Sequence, residues 1–375
     1  MRLNLGAFFL PLLALLLGCS SKPVGKEPAE LLRFKQAANI DIRWKRNVGE
    51  IGNAGLQPAI TRNAVYVANA DGELFRLDPI SGKKVWKSDV GFKISGAVGA
   101  GQELVAVGGL KGELAAFDES GKLLWLTRVS SEVLSAPNIV DGMVVVRTSD
   151  GRIAALSAED GKRQWLYERA TPTLIVRNHA GVIIQSGVVY AGFAAGKLAA
   201  INLANGAVIW ESAVSQPRGN TELERISDIT SLPAVDSEKV CAVAFQGRIA
   251  CFDNKQGAML WSREVSSDKG LALKNNFLYV SDAEGTVLAM DKTSGSTLWK
   301  NDQLFMRQSA TPYVTEKYVV VGDFEGYLHV LSREDGSFLA RTKTDGSPIL
   351  FTSMPLGKGL LLQTRDGGVY SIEIN

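Results

Sequence analysis

The sequence predicts an all-β fold, an eight-bladed β-propeller of four-stranded antiparallel blades. Three observations carry the prediction: a repeat of about 42 residues, apolar residues that alternate with a strand-like period inside each copy, and a tryptophan at a fixed place in most copies. Helical repeats of similar length need an extended 3.6-residue periodicity, which the repeats lack.

Each copy begins with a glycine, carries apolar residues two and five positions later, and then has a second glycine and a tryptophan-bearing strand. In the first copy the leading glycine, Gly72, lies in the segment Asp71-Gly-Glu-Leu-Phe-Arg-Leu-Asp78. An apolar run upstream of each glycine, such as Met143–Val146, supplies a further strand. Four short strands per copy are typical of a propeller blade. The leading glycines are Gly72, Gly112, Gly151, Gly196, Gly247, Gly285, Gly326 and Gly367.

The tryptophans follow the same register, and we expect them to pack between adjacent blades. They are Trp44, Trp86, Trp125, Trp165, Trp210, Trp261 and Trp299. The seventh copy has Ala340 instead, and the eighth ends at Asn375 before its tryptophan strand. Trp44 precedes the first copy, so we predict that the N-terminal strand pairs with the C-terminal blade and closes the ring.

The N-terminus predicts export. Met1-Arg2 is followed by an apolar run to Leu17, which has the length of a signal peptide. Leu16-Leu17-Gly18-Cys19 resembles the bacterial lipobox, a resemblance that implies cleavage before Cys19 and lipidation of its thiol and amine. We therefore predict a signal peptide at 1–18, a lipid anchor with a flexible tether at 19–40 and the propeller at 41–375. Ser20, where inner-membrane lipoproteins usually have Asp, favours the outer membrane.

Composition and motifs exclude several function classes. With 41 Lys and Arg against 39 Asp and Glu, the net charge of +2 offers no basic field for nucleic acid. His179 and His329 form no metal-ligand spacing with the cysteines, and we expect no metal and no cofactor. Cys241 and Cys251 flank Gln246-Gly247 symmetrically, so they are either a cross-strand disulfide or two small apolar strand residues.

The repeat, with its glycine, Leu-x-x-Leu/Phe-Asp, second glycine and tryptophan, resembles those of the PQQ-type quinoprotein propellers. The lipobox, the eight copies and the segments 219–228 and 325–329 make the mature chain similar to the BamB family of outer-membrane β-barrel assembly lipoproteins. That resemblance implies a non-enzymatic scaffold on the periplasmic face of the outer membrane. It also implies binding to the POTRA domains of the insertase BamA, within the BAM complex, and help in inserting outer-membrane β-barrel proteins. Contact with unfolded substrate proteins stays open.

Two consecutive repeat intervals are stretched, to 45 and 51 residues, which places insertions in neighbouring loops at 169–178 and 216–230. The BamB resemblance implies that partner-binding residues in them include Leu174, Ile175, Val176, Arg177 and Asp228, with Val176 replacing the family's leucine. Apolar residues beside a guanidinium are typical of interfaces, and Arg225 adds a second one. We expect these side chains to be exposed, so that Arg177→Glu or Asp228→Arg weakens partner binding without lowering thermal stability.

Two alternatives stay open at the level of sequence. A quinoprotein-like enzyme shares the repeat, but the chain has no adjacent cysteine pair of the kind that those enzymes use to hold PQQ. A propeller lipoprotein that binds glycan or a small molecule is compatible with the same fold, because a fold does not determine function.

Overall fold

The computed structural model describes residues 27–375, which form eight blades around a central channel. The eight-bladed propeller predicted from the repeats is confirmed. The predicted signal peptide and Cys19 lie outside the described residues. Within the described part of the chain the one helix is a 3₁₀ turn, Ala194–Gly196, and no helix could cross a membrane.

The strands of the N-terminal half follow one another in chain order. They are β1 (Ile40–Asn47), β2 (Gly55–Leu56), β3 (Ala59–Thr61), β4 (Ala64–Ala68), β5 (Glu73–Leu77), β6 (Lys84–Asp89), β7 (Ile94–Gly101), β8 (Leu104–Gly109), β9 (Glu113–Asp118), β10 (Leu123–Arg128), β11 (Asn138–Val140), β12 (Met143–Arg147), β13 (Ile153–Ser157), β14 (Arg163–Tyr167), β15 (Ile183–Gln185), β16 (Val188–Gly192), β17 (Lys197–Asn202) and β18 (Val208–Ala213).

The C-terminal half continues in the same way, with a short first strand in each blade. These are β19 (Ala234–Val235), β20 (Lys239–Val243), β21 (Ile249–Asp253), β22 (Met259–Arg263), β23 (Leu271–Lys274), β24 (Phe277–Ser281), β25 (Val287–Asp291), β26 (Thr297–Asn301), β27 (Tyr313–Val314), β28 (Tyr318–Gly322), β29 (Tyr327–Ser332), β30 (Phe338–Lys343), β31 (Met354–Leu356), β32 (Gly359–Gln363) and β33 (Gly368–Ile374).

Blades one to seven use four consecutive antiparallel strands, beginning with β3 to β6 and ending with β27 to β30. The eighth blade has the order β1-β33-β32-β31, in which β1 pairs with β33 from Ile40 opposite Ile374 to Asn47 opposite Gly368. The predicted closure by the N-terminal strand is therefore confirmed. Blade two has a fifth strand that the repeat did not predict, because β2 adds in parallel to β7.

Each blade tryptophan packs on the second glycine of the next blade and donates a hydrogen bond there. The ring of Trp86, for example, occupies the space that a side chain at Gly121 would need, and its Nε1 donates to the Glu119 carbonyl at 2.8 Å. Gly121 also has a φ of 85°, which favours glycine. The acceptors for all seven tryptophans, from Trp44 to Trp299, are the carbonyls of Pro79, Glu119, Ala158, Leu203, Asn254, Lys292 and Arg333.

Ala340 replaces the tryptophan in blade seven for a topological reason. The third and fourth strands of blade eight come from opposite ends of the chain, so no tight turn joins them to receive a tryptophan. The incoming N-terminal segment fills the place instead. The amides of Ala37 and Ala38 donate to the Leu339 carbonyl at 2.8 and 3.2 Å, and Ala38 is buried in the same apolar cluster as Ala340.

Residues 27–36 continue along the outside of blade seven. Phe34 stacks on Phe338 with ring centroids 5.4 Å apart, and Arg341 donates to the Leu32 carbonyl at 2.9 Å. Arg307 donates to the Ala29 carbonyl at 3.1 Å. This part of the predicted tether thus makes specific contacts with the propeller.

The direction of the strands fixes where the loops lie. Four antiparallel strands return the chain to the same side of the ring after each blade, so all connections between blades share one face, which we call the connection face. The hairpin of β20 and β21 positions Cys241 directly across from Cys251. The structure joins these two buried cysteines as a disulfide, with Cα atoms 4.1 Å apart.

Candidate partner-binding surface

The two longest blade-to-blade connections of the described chain, 168–182 and 214–233, flank blade four on the connection face. We call them the partner loops. They contain every residue that the sequence nominated for partner binding. Because they are neighbours around the ring, the structure brings both segments into one surface.

Asp228 holds the two partner loops together. One carboxylate oxygen accepts from the Val176 amide at 2.8 Å, and the other accepts from the Ala195 amide at 3.0 Å. Its side chain is only 3% exposed, so the expectation of an exposed Asp228 is wrong. An insertion length indicates a loop but not the direction of a side chain. Asp228→Arg would leave both amides without an acceptor, and the predicted neutrality for stability does not hold for this residue.

The first partner loop presents apolar side chains beside a guanidinium. Leu174 is 41% exposed, whereas Ile175 and Val176 are half-buried. The Arg177 side chain is 61% exposed and forms an ion pair with Glu132 at 3.0 Å. An exposed pair of this kind contributes little to stability, so Arg177 can exchange partners at low cost.

The second partner loop contains a short turn stabilised at its start. Glu224 accepts from the amides of Asn220 and Thr221 at 2.7 and 3.1 Å, and Thr221 accepts from the Glu224 amide at 3.2 Å. This reciprocal arrangement is a capping box. The turn presents Arg225, which donates to the Gly219 carbonyl at 3.1 Å, and Leu223, which is 67% exposed. Sequence reasoning did not single out Leu223, although it is the most exposed apolar residue of the two loops.

A cleft of about 270 Å³ lies beneath the first partner loop, and Arg147 lines it. Arg147 ends β12, lies over the Phe193 ring at 5.1 Å and donates from Nη1 to the Ala180 carbonyl at 3.2 Å. Burial lowers the pKa of Arg147 to about 10, and the nearby Asp228 carboxylate offsets only part of that effect. The guanidinium therefore stays charged at neutral pH in a poorly solvated place.

The repeat register contains a signal for Arg147 that sequence reasoning missed. Each blade has one residue opposite the apolar position that follows its leading glycine, and Arg147 is that residue in blade three, opposite Ile153. The other seven blades have small, apolar or neutral residues there: Ala68, Gly108, Gly192, Val243, Ser281, Gly322 and Gln363. A long cation in a position that usually holds a small residue marks blade three as different.

A larger cavity of about 630 Å³ opens in the channel on the connection face. Its lining includes His179, whose Nδ1 lies 3.0 Å from the Leu134 carbonyl and whose ring meets Phe351 edge-on. Burial lowers the pKa of His179, so the imidazole is neutral at physiological pH. In residues 27–375 no cluster of three or more His, Cys, Asp or Glu side chains could hold a metal ion.

Comparison with known proteins agrees with this architecture. The family model described as outer membrane protein assembly factor BamB matches residues 70–301. The chain belongs to the BamB family. The BamB of Nitrosomonas eutropha is 42% identical over 93% of this chain and 85% of its own length, and that of Bordetella pertussis is 37% identical over 99% and 97%. The chain is thus an outer-membrane protein assembly factor of the cell envelope.

Comparison with solved structures distinguishes a relative within the family from a protein that shares only the fold. The crystal structure of BamB from Moraxella catarrhalis superposes with a TM-score of 0.83 at 26% identity, covering 89% of this chain and all of that one. Quinohemoprotein alcohol dehydrogenase from Comamonas testosteroni has a TM-score of 0.71 at 13% identity, over 89% of this chain and 76% of that one, which shows a shared fold alone. The BamB family is one of assembly factors, and the chain is a non-catalytic member of it.

Proposed function

We propose that the chain is a scaffold lipoprotein that binds the POTRA region of BamA through the partner loops and aids folding and insertion of outer-membrane β-barrel proteins. The observation that carries the proposal is the joining of the two loops by Asp228, which fixes Val176 and its neighbours beside the second loop. Membership of an assembly-factor family supports it.

The surface has the composition of an interface. Leu174 and Leu223 supply exposed apolar area, and Arg177 and Arg225 supply forked donors next to it. Apolar anchors close to arginine are enriched among residues that dominate binding energy. Leu174, Ile175, Val176, Arg177 and Arg225 are therefore proposed as direct contacts, and Asp228 as the residue that positions them.

The proposal includes the division of the chain into a signal peptide at 1–18, a tether at 19–40 and a propeller at 41–375. Cys19 is proposed as the lipidated residue, which would hold the propeller on the periplasmic face of the outer membrane. Among the described residues, the Ala29 amide donates to the Phe305 carbonyl, which places this part of the tether on the connection face.

Affinity purification of the lipidated protein from mildly solubilised envelope tests this function. We expect wild type to recover a POTRA-bearing barrel protein, and Arg177→Glu to lose it, because the reversed charge would face Glu132 and any acceptor on the partner. Arg128→Glu is a matched control, since Arg128 is also an exposed arginine with a glutamate neighbour, Glu113, but lies outside the partner loops. Recovery of no such protein by wild type would contradict the proposal.

A further inference from the structure

The cleft beneath the first partner loop contains a charge whose partner is missing from the described chain. A guanidinium has five N–H donors in a planar fork. In residues 27–375, Arg147 makes one hydrogen bond, to the Ala180 carbonyl, and has no carboxylate within ion-pairing distance. Its flat face is covered by Phe193, and its side chain lines the cleft. The Arg147 side chain is half-buried, so its spare donors line an open cleft where a ligand that excludes water could pair with them.

The two nearby carboxylates are already engaged. Asp228 uses its oxygens on the Val176 and Ala195 amides, and Glu132 pairs with Arg177. Each contributes negative charge to the lining without neutralising the Arg147 fork. A multiply charged anion such as phosphate would be repelled by both, whereas a single carboxylate adds only one negative charge and fits the fork in a bidentate pair.

The rest of the cleft suits a side chain. Ile175 and Val176 supply an apolar wall, and the exposed Thr171 and Arg177 form a rim that is open to solvent. The volume of about 270 Å³ is below the range of about 300–1,000 Å³ that is typical of small-molecule pockets. An acidic residue with an aliphatic stem matches both the apolar wall and the charged end.

Other blades show that this cleft is a departure from the repeat. In blades two, four and seven the position equivalent to Arg147 is a glycine, and its space is filled by an apolar residue of the following connection, namely Val133, Ile229 or Ile349. In blade three a guanidinium and an open cleft replace that apolar filling. The difference lies beneath the proposed partner surface and nowhere else among these four blades.

We propose that this cleft is a binding pocket for one Asp or Glu side chain of the partner protein, which pairs with the Arg147 guanidinium. The proposal rests on the proposed function, because the partner is the one that docks on the partner loops. It adds a specificity-determining contact that the exposed residues of those loops do not provide.

Titration calorimetry of the full chain in mild detergent with the purified periplasmic POTRA region of BamA from the same organism tests the pocket. We expect Arg147→Gln to weaken binding at least about 30-fold, as for loss of a buried charged pair. Arg152→Gln is the matched control, since Arg152 is a blade-three arginine that pairs with Asp150 and Glu168, and we expect a change within about 3-fold.

A double-mutant cycle separates direct pairing from a general effect on folding. Each acidic residue of the POTRA region is changed to its amide, and each variant is titrated against wild type and Arg147→Gln. We expect one such change to weaken binding to wild type but not to weaken binding to Arg147→Gln further. Effects that add for every acidic residue, or an Arg147→Gln protein that binds like wild type, would overturn the pocket.

The proposed function and the pocket can be refuted separately. If Leu174→Ser and Arg177→Glu lose binding while Arg147→Gln retains it, the proposed function stands and the pocket is refuted. If the wild-type chain binds no POTRA region at all, both are refuted.

Discussion

Two groups of charged side chains, a half-buried one in blade three and a buried one in blade seven, contrast in how completely they are paired. In blade seven, Arg307 donates to Asp323 at 2.8 Å and pairs with Glu325, and His329 lies between Asp323 and Arg341 at 3.0 Å from each. We call Arg307, Asp323, His329 and Arg341 the blade-seven cluster. In blade three, Arg147 has one hydrogen bond and faces a cleft.

The completeness of pairing distinguishes a charge that stabilises the fold from one that is available for recognition. In the blade-seven cluster, Arg307 also donates to the Ala29 carbonyl and Arg341 to the Leu32 carbonyl. The cluster therefore holds the N-terminal segment, and few of its donors are free to bind a partner. Arg147 has one such internal partner, the Ala180 carbonyl, and no carboxylate. A satisfied cluster stabilises the fold, whereas an incompletely paired cation next to an open cleft is available for binding.

The largest expected effect is on the stability of blade seven. Arg307→Met removes a cation that Asp323 and Glu325 contact, and leaves Asp323 as a fully buried carboxylate without its ion pair. We expect a loss of about 3–5 kcal/mol in the free energy of unfolding, measured by urea denaturation. Arg147→Met is the matched comparison and should change stability by about 1 kcal/mol or less. If both variants lost the same free energy of unfolding, the two regions would not differ in how much their arginines stabilise the fold.

A smaller effect is expected at the joint between the partner loops. Asp228→Asn replaces one of two carboxylate oxygens by an NH₂ group, so either the Val176 or the Ala195 amide loses its acceptor. We expect a loss of about 1–3 kcal/mol and faster hydrogen exchange at these two amides. Unchanged exchange at both amides would show that Asp228 does not hold the loop.

The pH dependence of stability gives a still smaller effect in blade seven. Burial, opposed by the hydrogen bond to Asp323, lowers the pKa of His329, and the hydrogen bond from Arg341 to Nδ1 requires the neutral ring. Because the pKa of His329 is lower in the folded than in the unfolded protein, its contribution to the free energy of unfolding is complete above the unfolded pKa near 6.5. That contribution is lost as the pH falls below this value. The expected slope is at most about 1.4 kcal/mol per pH unit.

His329→Gln should flatten the dependence between about pH 7 and 5, because an amide can still accept from Arg341 and donate to Asp323 without titrating. His179→Gln is run beside it, since the pKa of His179 is also lowered by burial. Burial alone would raise the pKa of Asp323, but the hydrogen bonds from His329 and Arg307 lower it, so its own loss of stability begins at more acidic pH. An unaltered slope in His329→Gln would contradict the assignment.

The smallest expected effect on stability is at Arg177. Arg177→Glu breaks an exposed ion pair and should shift the free energy of unfolding by about 0.5 kcal/mol or less, measured by urea denaturation. A melting temperature that falls by tens of degrees would show that Arg177 is structural, and its role as a partner contact would then have to be abandoned.

The repeat predicted most of the fold because each blade must satisfy the same packing rule. Trp86 and Gly121 recur together since the indole fills the space of a missing side chain, and the truncated last copy predicted closure by β1. The site was only partly predictable. The two stretched repeat intervals located the partner loops. The sequence did not show that the Asp228 side chain points inward and accepts hydrogen bonds from two backbone amides. Arg147 is anomalous only after the blades are aligned by strand register.

Site-specific photo-crosslinking in growing cells tests whether the partner loops contact a POTRA-bearing protein. A photoreactive residue at Leu174 or Leu223 would report on the partner loops, and one at Leu298, whose exposure lies between theirs, on an outer strand of blade six. We predict crosslinks to a POTRA-bearing protein from positions 174 and 223 and none from 298. Crosslinks to that protein from 298, with none from 174 and 223, would contradict the account.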